Sequence, residues 1–184
     1  MRLTAHNLVR AIKLLPRNIE YQYVSAKNKG RIVIHNVSEE EGRIEFKRYN
    51  AHKGKKLSEA KVESISSQMI WRLANAILQG KPVNVDRVLG ASYNTRSVLE
   101  SLLAHTPLFY SCMPGRIESM NEYQKVQAGH KHLVYLPDEP HENAKLGYKD
   151  VNIVVSELAV EDVVYNGIVL DPAAPPAGMS IEQQ

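Results

Sequence analysis

Glu45 and Lys47 stand two residues apart in Arg43-Ile44-Glu45-Phe46-Lys47-Arg48-Tyr49, a run whose alternating apolar and polar residues predict a strand. Alternation along a strand sends Arg43, Glu45, Lys47 and Tyr49 to one face and Ile44, Phe46 and Arg48 to the other. A carboxylate and an ammonium therefore share a surface. Cations gather around this pair: Lys27 and Lys29 in one loop, Arg43, Lys47 and Arg48 on the strand, and Lys53, Lys55 and Lys56 in the segment after it. Side chains of this kind neutralise phosphates, and binding built on them weakens steeply with salt. Tyr21, Tyr23 and Tyr49 add hydroxyl groups and stacking faces. A solvated sheet face also carries lysines; the clustering is what favours a polyanion.

Other residues have weaker claims. His130-Lys131-His132, with Asp138, Glu139, His141 and Glu142, brings imidazoles and carboxylates into one stretch, and such groups together bind Zn²⁺ or similar ions. Their spacing matches no established metal motif, so a polar turn with solvent-exposed histidines is expected and no metal is assigned. Cys112, the single cysteine, lies in an apolar run, where an inert buried thiol is the expectation. One cysteine excludes an intramolecular disulfide and a thiolate zinc cluster. There is no Gly-x-Ser-x-Gly elbow, no Walker-type loop and no Gly-x-Gly-x-x-Gly, which argues against hydrolase-elbow, nucleotide-hydrolysis and Rossmann chemistry.

The elements that position these groups follow from periodicity. Ala5, Leu8, Val9, Ala11, Ile12 and Leu15 have helical spacing over Thr4 to Leu15, and Pro16 ends it. Three strands are expected at Ile19 to Ser25, Arg31 to Val37 and Arg43 to Tyr49, joined by loops that end in Gly30 and Gly42, as an antiparallel meander. In the second strand Ile32, Ile34 and Asn36 share a face. Helices are expected at Ser66 to Gln79, stopped by Gly80, at Val85 to Leu89, and at Thr95 to His105 with Asn94 as its cap. Leu108 to Cys112 and Arg116 to Met120 read as strand, turn, strand. Further strands are expected at His132 to Leu136, Val151 to Val155 and Gly167 to Leu170, with a helix or strand over residues 158–164 left open.

Three helices and a hairpin over residues 66–120 resemble the winged-helix superfamily of helix-turn-helix DNA binders. That resemblance implies that the recognition segment Tyr93-Asn94-Thr95-Arg96-Ser97 points into the major groove. Arg96 would then pair with guanine and Asn94 with adenine or phosphate, while Arg87 and Arg116 sit near phosphates. The Glu45-x-Lys47 spacing also resembles the PD-(D/E)xK nucleases, which include many type II restriction endonucleases. There, carboxylates hold Mg²⁺ and a lysine positions the attacking water. The family wants a further acid, normally Asp, about one strand earlier. The first Asp here is Asp86, so Glu39, Glu40 or Glu41 must substitute from a loop, with Glu41 taken as the representative.

Length and charge bound the whole. The 184 residues suit one domain or two small ones, and the longest apolar run, Leu133 to Leu136, is far below the roughly 20 residues of a membrane span. The N-terminus lacks the basic start and apolar core of a secretory signal, so a cytoplasmic, reducing setting is expected. The net charge of +3 is an average: residues 1–60 carry +7, 61–120 carry +2 and 121–184 carry −6. A basic front favours double-stranded DNA as partner. The expected fold is α+β: a basic helix-plus-meander region over 1–60, a winged-helix-like region over 61–120, an acidic mixed region over 121–171 and a tail over 172–184. The leading expectation is a sequence-specific DNA-binding protein without a cofactor. A Mg²⁺-dependent restriction-type endonuclease is the alternative, and a protein-interaction module without nucleic acid the third. A homodimer would double the readout on a palindromic site, but no motif decides the oligomeric state.

Overall fold

The computed structural model describes residues 3–25, 27–114, 127 and 129–138, together with the backbone of three short strands farther along. It is a mixed α+β fold, as expected: an N-terminal helix, a four-stranded antiparallel sheet, a helical layer and a second sheet.

Helix α1 (Ala5–Lys13) begins at a reciprocal cap: the Thr4 hydroxyl accepts from the Asn7 amide at 3.2 Å and Asn7 Oδ1 accepts from the Thr4 amide at 3.0 Å. This satisfies two amides that the first turn would otherwise leave orphaned. Leu8, Val9, Ala11 and Ile12 form its buried stripe. The first sheet follows in the order β1 (Tyr21–Gln22), β2 (Arg31–Ser38), β3 (Arg43–Tyr49) and β4 (Val62–Ile65), each antiparallel to its neighbour. Its first strand is reduced to two residues, and β4 is a fourth strand that the meander lacked. Only Ile65 of β4 is buried, while Val62 is 46% exposed, so the strand has no apolar alternation to betray it.

The face assignment in β2 needs one correction. The β2–β3 register shifts between Ile34 and Asn36, a bulge that leaves His35 without a partner across the ladder. Ile32 and Ile34 face the core as expected, but the extra residue turns Asn36 outward and brings Val37 into the core. On β3, Ile44 and Phe46 are fully buried in the core that α1 and the next helix share, which is why the opposite face, with Glu45 and Lys47, is the outer one.

Helix α2 (Ser67–Ala76) buries Met69, Ile70, Leu73, Ala74 and Ala76; it stops before the expected Gln79, because Ile77 turns extended. Gly80, at φ 74°, then donates its amide to the Tyr135 carbonyl at 2.8 Å. After β5 (Pro82–Val83), the short α3 (Val85–Leu89) lies where expected, capped by Asn84 Oδ1 on the Arg87 amide at 3.2 Å. Helix α4 (Arg96–Ala104) is buried from Val98 through Ala104. Thr95, not Asn94, occupies its cap position.

The winged-helix expectation fails here. Strand β6 (Phe109–Pro114) does pair antiparallel, but its partner is the distant β7 (His132–Tyr135), from Phe109 opposite Tyr135 to Cys112 opposite His132. The second sheet runs β5-β7-β6-β8, with β8 (Lys149–Val151) parallel to β6. Long-range pairing replaces a local wing; Arg116 to Met120, its expected second strand, lies outside the described residues. Strands β9 (Val164–Tyr165) and β10 (Ile168–Val169) form a separate antiparallel pair. The remaining expectations for 152–163 and the tail lie outside the described residues. A single hydrophobic cluster runs from Leu3 through both sheets' inner faces and α2–α4 to Tyr135.

Candidate functional site

The outer face of the first sheet carries the acid–lysine pair. Glu45 and Lys47 both lie there, half-buried, as alternation requires. Asn36 of β2 and Ser64 of β4 stand opposite Glu45, and Val33 and Val62 stand opposite Lys47. Arg43, on the same face, holds Glu45 at 3.1 Å and reaches Ser64 Oγ at 3.5 Å. Tyr49 donates its hydroxyl to the Glu20 carboxylate. Arg48 points the other way: its guanidinium makes two 2.8 Å bonds to the two Glu63 oxygens and one of 3.3 Å to the Asn94 carbonyl, 5.9 Å from the centre of the Phe46 ring. A bidentate fork of that kind is a fastening, not a free phosphate contact.

Lys53, Lys55 and Lys56 are exposed around a single 3₁₀ turn, Ala51–Lys53, which Gly54 closes at φ 71°. Lys27 and Lys29 are both exposed. The substitute acids sit at the β2–β3 hairpin. Glu39 turns to α1, 3.3 Å from Lys13 and 3.6 Å from His6, and Glu41 donates its backbone amide to Ser38 Oγ at 3.2 Å. With Glu40 they border a pocket of about 140 Å³ between α1, the hairpin and α2. Among the described residues no group of three or more His, Cys, Asp and Glu is placed to hold a metal ion.

Except for the exposed Asn94, the expected recognition segment is engaged in packing. Tyr93 lies under the Arg72 guanidinium at 5.6 Å and bonds Gln68. Thr95 is buried against the Met69 sulfur, and the Ser97 carbonyl accepts from Ser101 Oγ at 2.7 Å. Arg96 Nε donates to Asp86 Oδ1 at 2.9 Å and its Nη1 to the Tyr93 carbonyl at 3.0 Å. Asn94 is exposed, with only its carbonyl engaged by Arg48, and Arg87 contacts Gln127 at 3.3 Å. Arg116 lies outside the described residues.

Asp86 belongs to a second constellation. Its Oδ2 is 3.2 Å from Lys131 Nζ, and the same ammonium donates to Glu100 Oε2. Glu100 is 1% exposed; burial pushes its carboxyl up to about 6 while the Lys131 ammonium pulls it back. Its other oxygen, Oε1, is buried without a hydrogen-bond partner. Neither Glu100 nor Lys131 was a candidate from sequence. The available signal was an acid inside Val98-Leu99-Glu100-Ser101-Leu102-Leu103, since a carboxylate in an apolar helix demands a partner.

The histidine pair divides. His130 is exposed, but His132 is wholly buried, contrary to the expected exposed turn. Its Nε2 accepts from the Gln127 amide at 3.0 Å, so its Nδ1 carries the proton given to the His130 carbonyl at 2.7 Å. Burial pushes its pKa down to about 4. With both nitrogens occupied it has none for a metal; His141, Glu139 and Glu142 lie outside the described residues. Cys112 is buried, and burial pushes its thiol up to about 12, which makes it inert.

The chain is 46% identical over 169 residues to the type II restriction enzyme NmeDI of Neisseria meningitidis serogroup C. The alignment covers 92% of this chain and 45% of that protein. The chain thus spans just under half the length of the curated relative it matches. No family model and no solved structure matches it. This likeness overturns the leading expectation of a sequence-specific DNA-binding protein that reads bases through a helix-turn-helix, and the engaged side chains of Tyr93, Thr95 and Arg96 give the physical reason: groups fastening α2, α3 and α4 together are not presented to a groove. Among the described residues no helix is long and apolar enough to cross a membrane.

Proposed function

We propose that this chain is part of a restriction-type endonuclease that acts on double-stranded DNA with Mg²⁺. The carrying observation is its 46% identity, over nearly its whole length, to a type II restriction enzyme. The outer sheet face supports the reading. Glu45, Asn36 and Ser64 stand opposite one another and offer oxygen donors, the kind that suits Mg²⁺. When bound, Mg²⁺ supplies charge neutralisation at a phosphodiester and lowers the pKa of bound water. Lys47, on the same face, would orient the attacking water, with Glu45 as ligand; Glu41, the acid expected to complete the set, borders the pocket on the α1 and α2 side instead. Arg43 would exchange Glu45 for a phosphate oxygen, and Lys53, Lys55 and Lys56 would hold the backbone alongside.

Incubation with mixed-sequence duplex DNA tests this. Cutting is expected with Mg²⁺, none with EDTA, and Lys47→Ala should reduce the rate by about 10²–10⁴-fold, the usual worth of a positioned proton-handling group. DNA that is retarded but intact with Mg²⁺ overturns the nuclease reading.

A further inference from the structure

We propose that Asp86 and Glu100 form a second divalent-cation site, in which the Lys131 ammonium occupies the place of the ion. Three elements distant in sequence meet there: α3 brings Asp86, α4 brings Glu100, and the residue before β7 brings Lys131. The ammonium is shared between an oxygen of each carboxylate, as a bridging cation would be. Two observations set this apart from an ordinary ion pair. Glu100 is 1% exposed and keeps one buried oxygen, Oε1, with no partner at all, although a lone pair buried that way is costly. Asp86, in contrast, is 42% exposed at its side chain, so the group opens to solvent at one end and ends in the orphaned oxygen at the other. Arg96 and Lys131 together balance the two carboxylates, but the ammonium leaves Oε1 bare, whereas a divalent ion in its place takes up that oxygen as well.

Two carboxylates are enough for such a site. Mg²⁺ and Mn²⁺ are commonly held by one or two carboxylates, with water and phosphate oxygens completing the shell. Arg96, 2.9 Å from Asp86, stays fastened to that carboxylate and is not a ligand of the ion. The cation site does not rest on the DNA-cleaving reading.

The test uses Mn²⁺ alone, without DNA, on the whole chain carrying Glu45→Gln so that the outer sheet face contributes nothing. Bound ion is read by the loss of the free Mn²⁺ resonance, with circular dichroism as the check on folding. Lys131→Met removes the competing ammonium and should tighten Mn²⁺ binding about tenfold, with the ion raising the melting temperature of this variant. Asp86→Asn and Glu100→Gln should each weaken binding by at least the roughly 10–100-fold that even an outer partner is worth. If Lys131→Met does not fold, the comparison of Asp86→Asn and Glu100→Gln with the parent decides. Binding that is absent from the parent and from Lys131→Met, or that is indifferent to Asp86→Asn and Glu100→Gln, overturns the site. Mg²⁺-dependent DNA cutting by the unaltered chain would in that case still stand, so the two proposals fail separately.

Discussion

His132 stores a pH dependence. Its imidazole is neutral in the fold, with a pKa pushed down to about 4 by burial, against 6.5 in an unfolded chain. Between those values the unfolded state binds the proton and the folded state does not, so stability present above pH 6.5 is lost as the pH falls toward 4. The loss from this one group is at most roughly 3 kcal/mol. Urea midpoints measured from pH 7 to pH 4 should show the decline, and His132→Gln should flatten it; an equally steep decline in the variant would remove His132 as its source. The buried Phe46 has a plainer role, since its ring fills the space between the first sheet and the helices. Phe46→Ala should cost about 3–5 kcal/mol by urea denaturation, without adding any pH dependence.

Among the elements, α1 and α3 show how much a local signal can decide. The Thr4–Asn7 cap and the apolar stripe Leu8, Val9, Ile12 define α1 from adjacent residues, and Asn84 and Gly90 bracket α3 in the same way. Thr4→Ala leaves the stripe intact and removes the reciprocal cap, so stability should fall by about 1 kcal/mol, read as a shift in melting temperature. Strand β4 lay beyond such signals because three of its four residues are not buried. The bulge in β2 was equally hidden. His35, Asn36 and Val37 alternate well enough as written, and only the pairing with β3 shows that one residue is extra. The same limit governs the supposed wing, where β6 chose a partner beyond the adjacent turn.

At the scale of the molecule the charge gradient matters most. The +7 of residues 1–60 is presented in part by the exposed Lys53, Lys55 and Lys56, in the segment that leaves β3. If these lysines hold DNA backbone, replacing all three with Gln should lower the slope of log affinity against log salt by up to about 3, near 0.9 for each phosphate no longer neutralised. Fluorescence anisotropy with a labelled duplex at several salt concentrations measures it. An unchanged slope would place the backbone-binding cations elsewhere. The acid–lysine pair Glu45 and Lys47 was legible because a strand's period of two is a backbone property. Its Arg43 partner was on the same face but gave no sign that it would hold Glu45.

Taken alone, the sequence determined the α+β class, strand β3, helices α1 and α3, the shared face of Glu45 and Lys47, and the basic front. Each depends on near neighbours along the chain, through dihedral preference, capping and periodicity. Tertiary structure alone decided that Arg96 holds Asp86 instead of facing outward, and that Lys131 reaches Glu100 across 31 residues of sequence. It also decided that His132 lies in the core beside a solvent-facing His130. Ion pairs and burial are settled by which surfaces pack together, and no local pattern records where a distant carboxylate will need a charge.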